Sequence, residues 1–168
     1  ASVKIENLIT NGNFVNGTTG WTFGSAISGA SASSGILTFT GAGALSTTAF
    51  NWVSQTNVTM FPDGHILYNI ATARSLMGAD FQVGIGYSYS AFTSTDQWET
   101  YSYLGSHPTH NQPTYGARSG DTVEMTNAMC FDLTAIFGAG NEPTKEEMDL
   151  LISTLGIDYF EGEITIPA

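Results

Sequence analysis

The chain has 168 residues, four Lys plus Arg against 15 Asp plus Glu, and a formal net charge of −11. That length suffices for one domain with its own core and no metal or disulfide support, while the acidic balance repels nucleic-acid phosphates and anionic lipid surfaces. Only 11% of residues are charged, and the abundance of Gly, Ser, Thr and Asn is that of strands joined by turns. With no run of about 18 apolar residues, the expectation is no nucleic-acid partner and no membrane insertion. The lone Cys130 can form no internal disulfide, and its place in a strand predicts a buried small hydrophobe.

In chain order, Val3, Ile5 and Leu8 predict a first edge strand, followed by the turn-rich NGNFVNGTTG and by Trp21 as a plug in the core. Residues 24–35 are low in bulk and predict a loop with one short strand. Short strands follow at 36–40, 45–50 and 52–58. Residues 65–74 are apolar on both faces and predict a strand inside a sheet. Phe81, Val83, Ile85, Tyr87 and Tyr89 alternate with Gln82, Gly84, Gly86 and Ser88, a single strand whose second face is a bare glycine row open to close approach. In 97–106, Trp98 and Leu104 share the face assigned to the core, and Glu99, Tyr101 and Tyr103 the other. Residues 105–120 predict one long loop.

From 121 to 137 the apolar positions Val123, Met125, Met129, Phe131 and Leu133 recur with period two, Asn127 being the exception, which predicts a long strand with one core face. GAGNEPT breaks it. Thr144 and Glu147 then have the spacing of a capping box, Met148, Leu151, Ile152 and Leu155 form one stripe, and Gly156 is a helix stop, so a helix is expected over 144–155. Residues 161–168 are expected to lead out of the domain. Together these elements predict an all-β protein: a two-sheet antiparallel β-sandwich of jelly-roll type with one C-terminal α-helix, residues 1–168 forming a single module.

The chemistry-bearing residues favour binding over catalysis. Three histidines, His65, His107 and His110, are present without a nucleophile-elbow sequence. Pro108 takes His107 and His110 off any common helical face, which argues against zinc. The GAG triplets at 41–43 and 138–140 are turns, lacking the rest of a phosphate loop. Asp96, Glu99, Glu124 and Asp132 leave glycosidase chemistry formally open, but no spacing singles out a pair. Sugar binding needs aromatic rings to stack on pyranose faces and planar groups to read hydroxyls. The middle third supplies both, so a ligand face is expected from Arg74, Tyr87, Tyr89, Tyr101 and Tyr103, with His107, Tyr115 and Arg118 from the adjoining loop.

The run FDLTAIFGAGNEPTKEEMDLLISTL followed by YFEG resembles a segment near the C-terminal end of carbohydrate-binding-type modules in tail and baseplate proteins of phages that infect Gram-positive bacteria. The opening NLITNGNFVNGTTGW is similar to the start of many jelly-roll carbohydrate-binding modules. The resemblance implies a non-catalytic module of the evolved distal tail type, excised from a larger tail protein. It would sit at the tail tip or baseplate of the virion, bind host cell-wall saccharide and meet other phage tail proteins through the parent chain. A purely structural tail domain and a cell-wall glycoside hydrolase are the alternatives. Many such modules hold a structural calcium between the first turn and an Asp on the last strand. Asp132 matches that Asp, whereas Val15 stands where an acidic residue often follows the turn Phe. No cofactor is therefore required; Asp132 is a candidate calcium ligand, or else a hydrogen-bond partner of the N-terminal turn.

Overall fold

A computed structural model describes residues 1–42, 51–55 and 61–167. The strand expected at 45–50 lies outside these residues, as does the end of the one expected at 52–58. Two five-stranded antiparallel sheets pack face to face. The front sheet runs β2 (Trp21–Phe23), β5 (Trp52–Gln55), β10 (Pro113–Ala117), β7 (Asp80–Ile85) and β8 (Ser88–Thr93). The back sheet runs β3 (Ile27–Ser33), β4 (Ile36–Gly41), β11 (Thr122–Asp132), β6 (Leu67–Arg74) and β9 (Glu99–Gly105). A separate ribbon pairs β1 (Ser2–Asn7) with β12 (Gly162–Pro167), and two helices, α1 (Leu133–Phe137) and α2 (Lys145–Leu155), follow β11. Within the stretch 161–168, expected to lead outward, Gly162–Pro167 thus supply a strand instead.

Between the sheets, period-two alternation turns Leu37, Phe39, Val53, Phe81, Val83 and Met125 into one buried core. Trp21 plugs it as expected: its ring lies 4.9 Å from that of Phe14 and 5.9 Å from that of Tyr115, and its indole N–H donates to the Asn11 carbonyl. Asn69 is fully buried among these apolar groups, where an unpaired amide would be costly. Its Nδ2 donates to the carbonyls of Gly84 and Thr114, and its Oδ1 accepts from the Tyr115 hydroxyl. The two sheets are thereby joined through a satisfied polar group.

The long strand departs from its expected single core face. Asn127 sits at φ 54°, and the register of β11 against β6 shifts between Thr126 and Met129. Such a bulge reverses which residues point inward. Val123 and Met125 enter the main core, and beyond the bulge Ala128 and Cys130 do so. Met129, Phe131 and Leu133 turn outward into a second core with Tyr68, Ile70, Met148 and Ile152, roofed by α2. The strand also stops at Asp132 rather than running to 137, because the Asp132 carboxylate accepts from the Ala135 amide and caps α1.

Helix α2 matches its sequence pattern. Thr144 and Glu147 form both halves of the capping box, and Gly156 takes the left-handed conformation at φ 64°. Met148 and Ile152 are buried while Leu151 and Leu155 lie at the margin. Burial raises the pKa of the Cys130 thiol, as its core position requires.

The two end segments meet in space. Asn11, at φ 52°, organises the first turn by donating to the carbonyls of Gly17 and Thr19 and accepting from the Asn16 amide. The C-terminal segment closes over it. The Tyr159 hydroxyl accepts from the Gly12 amide, a Glu161 oxygen accepts from the Asn11 amide, and the Phe160 carbonyl accepts from Asn7. A side chain at Gly12 would place its Cβ 2.1 Å from the Ala128 carbonyl oxygen, so only glycine lets the turn lie against the bulge.

Candidate functional site

The outer face of the front sheet carries the aromatic pocket. Because Val53, Val83 and Tyr115 point inward, alternation sends Trp52, Ser54, Gln82, Gly84, Thr114 and Gly116 outward. Trp52 and Tyr87 line a pocket of about 200 Å³ with His110, Gln112 and Thr114. Tyr87 shares with Gly86, at φ 58°, the two-residue turn between β7 and β8, and it is 39% exposed. The expectation of one strand through 81–89 is corrected by this turn. The glycine row is also not bare. A Cβ on Gly84 would fall 2.3 Å from the Ser88 carbonyl oxygen and one on Gly86 2.1 Å from that of His110. The close approach inferred from these glycines is made by the protein's own backbone.

The loop before β10 fixes the Tyr87 ring. His107 Nδ1 accepts from the amides of Thr109 and His110 at 3.2 and 3.0 Å, which leaves the ring proton of the neutral imidazole on Nε2. The Tyr87 ring packs 5.2 Å from that of His107 and 4.5 Å from that of His110, and its hydroxyl pairs with His110 Nε2 at 3.2 Å. The loop itself is anchored by Asn111, which accepts from the His107 amide and donates to the Pro62 carbonyl. An aromatic ring held this way loses little freedom on binding a ligand. Further along the face, Arg118 pairs with Asp80, which also accepts from Thr93. The hydrogen bond from Arg118 holds the Asp80 carboxyl below the ordinary aspartate range despite some desolvation.

Of the eight residues expected at a ligand face, the structure gathers Tyr87, Tyr89, His107 and Arg118 on or beside this sheet. Tyr115 is corrected. The expected loop contains β10, and Tyr115 is fully buried between Trp21 and Phe81, with burial raising its pKa far above the usual tyrosine value. Tyr101 is corrected as well, since it is only 8% exposed and packs on Phe81 and Phe92. Burial and then its bond to Glu99 push its pKa up to about 12. Tyr103 packs against the same core. Arg74 lies on the back sheet, paired with Glu124 and 4.7 Å from the centre of the Trp98 ring.

Trp98, assigned to the core, is instead 37% exposed. Its shared parity with Leu104 holds, but that face is the outer one: α2 covers the Leu104 end, and Trp98 stands at the other. Trp52, Gln112 and His110 were missed. The inward Val53 next in sequence was the signal that could have turned Trp52 outward.

Asp132 does not reach the N-terminal turn. One oxygen caps α1 and the other pairs with His65 Nδ1 at 2.7 Å. Among the described residues no three His, Cys, Asp or Glu side chains gather as a metal-ligand group.

No family model matches the sequence, and no curated protein matches it. Solved structures do match. A CBM4 structure aligns with a TM-score of 0.55 at 15% identity, covering 73% of this chain and 98% of that one. The CBM22-1 xylan-binding domain of Paenibacillus barcinonensis Xyn10C gives 0.51 at 14%, covering 79% and 93%. CBM1 of BiXyn10A gives 0.51 at 10%, covering 76% and 95%. The fold is therefore the antiparallel two-sheet sandwich of carbohydrate-binding modules, with short helices added.

Proposed function

We propose that the chain is a non-catalytic carbohydrate-binding module that holds a saccharide on the front sheet between Trp52 and Tyr87. The observation that carries this is the pocket that those two rings line together with Thr114, on a sandwich shared with carbohydrate-binding modules. Aromatic rings offer apolar planes to pyranose faces, and the Gln112 amide and the Thr114 hydroxyl oxygen offer hydrogen-bonding groups to hydroxyls. Binding, not hydrolysis, also suits the carboxylate on this face: Asp80 is tied to Arg118 and Thr93, whereas glycoside cleavage uses two carboxyl groups across a scissile bond.

The resemblance of the C-terminal run, residues 131–155 followed by 159–162, to phage tail modules supports a location at the virion tail tip or baseplate. Host cell-wall saccharide is then the ligand, and other tail proteins are the neighbours of the parent chain. Shallow sugar sites exchange water hydrogen bonds for protein ones at small net gain, so several copies acting together supply the grip. The test uses monomeric and multimerised fluorescent fusions of the parent and of Trp52→Ala with Tyr87→Ala, on Gram-positive cells and purified walls. The multimerised parent is expected to bind and the folded double variant to lose most binding. Equal binding by both moves the site off this face, and a folded multimerised parent that binds no wall favours a structural tail domain.

A further inference from the structure

A second cavity, of about 600 Å³, lies on the opposite side of the sandwich, between α2 and the outer face of the back sheet. It arises because the bulge at Asn127 turns Met129 outward, and α2 covers only a stripe of the apolar face so produced. Its apolar lining combines the aliphatic Ile70, Met129 and Ile152 with the rings of Phe92 and Tyr101, while Thr72, Thr100 and Asn127 bring hydroxyl and amide groups to it. The two threonine hydroxyls pair at 3.2 Å, leaving donor and acceptor capacity between them.

One wall is held in place by a carboxylate. Asp149 accepts from the Tyr68 and Ser102 hydroxyls at 2.6 and 2.5 Å and from the Lys145 ammonium at 2.8 Å. The Lys145 ammonium retains further N–H groups beyond that bond. The volume falls in the range of small-ligand sites, and the polar groups around it are pre-oriented by bonds to one another.

We infer that this groove is a second ligand site, independent of the Trp52–Tyr87 pocket, for a saccharide bearing a small apolar substituent such as an acetamido sugar. This rests on the saccharide-binding function proposed above. The aliphatic side chains suit a methyl group, and the Phe92 and Tyr101 rings beside them suit the apolar face of the sugar that carries it. Lys145 and Asn127 are the donors for an acetamido carbonyl, and Asp158, at the rim, is an acceptor for its N–H. Both signs of charge border the cavity, which fits a neutral ligand. Trp98 extends the site along the same sheet face, its ring set by Arg74, which Glu124 in turn holds.

The test is a methyl-NMR titration with the N-acetylglucosamine hexamer and, in parallel, cellohexaose. The hexamer is expected to move the methyl resonances of Ile70, Met129 and Ile152 saturably, both in the parent and in Trp52→Ala with Tyr87→Ala. Asn127→Gly should weaken that response roughly tenfold while keeping the fold, because glycine accepts the left-handed backbone there. Ser153→Phe, on the exposed rim of α2, should block it. Groove methyls that stay unmoved while the front face answers either sugar overturn the second site and leave the first intact. Groove shifts that vanish in the front-face variant overturn its independence, and silence of both faces to both oligomers removes the two sites together.

Discussion

The main core and the core under α2 are built from alternate residues of the same strands, yet they are closed differently. The first is sealed by a second sheet, so that Phe39, Phe81 and Tyr115 meet side chains on every side and the Asn69 amide is fully paired. The second is roofed by one helix, and a helix presents only a stripe to the sheet below. Sheet against sheet buries the interior side chains from both sides, whereas helix against sheet leaves a groove beside the contact. One strand can therefore supply both a rigid frame and a recess, provided a bulge redirects its side chains partway along.

The sharpest way to break this contrast is to damage the sheet-closed core. Phe81→Ala is expected to cost roughly 3–5 kcal/mol, read as a lower denaturation midpoint, with loss of both faces at once because the whole sandwich depends on that layer. Next is Met148→Ala on the buried face of α2, expected to cost about 2–4 kcal/mol. Hydrogen exchange should show amides of α2 losing protection first while those of β7 keep theirs. If both regions lost protection together, the two cores would be one cooperative unit and the contrast would fail.

The smallest effect concerns pH and distinguishes the helix from the frame. Burial tends to raise the Asp149 carboxyl, but hydrogen bonds from Lys145, Ser102 and Tyr68 outweigh it and hold its pKa below the ordinary aspartate value. A folded-state pKa below the unfolded one stabilises the fold above the unfolded value, and that contribution is lost as pH falls through the folded one. Acidification below the usual aspartate range should loosen α2, and Asp149→Asn should flatten that acid limb in a pH series of melting curves. An unchanged acid limb in the variant would assign it to other carboxylates.

Local signals in the sequence were legible where one short-range rule governs. The capping box at Thr144 and Glu147, the stop at Gly156, the Trp21 plug and the alternation in β7 all appear as the pattern implies. What was not legible depends on partners distant in sequence. Asn127 marked an exception to the period, but a bulge is chosen by β6 and by the first turn, whose Gly12 carbonyl accepts from the Ala128 amide. Tyr115 looked like a loop residue because turn formers surround it, yet five residues suffice for a strand between two others. On the candidate site, the Tyr87 and Tyr89 end was visible from residue type. Trp52 was not, because which face is outer follows only once the sheets are stacked. The inward turn of Tyr101 and Tyr103 has the same origin.

Ser2 pairs with Pro167 and Asn7 with Gly162, so the two ends of the described chain leave from one corner of the module. Tension applied through those ends would act as an unzipping load on the ribbon, opening its hydrogen bonds one after another from Ser2 inward rather than all in parallel. The tear would run six residue pairs and then meet the clasp of Asn7, Asn11 and Gly12 with the 159–161 segment. A short length of slack would thus be released at low force before the sandwich itself felt the pull.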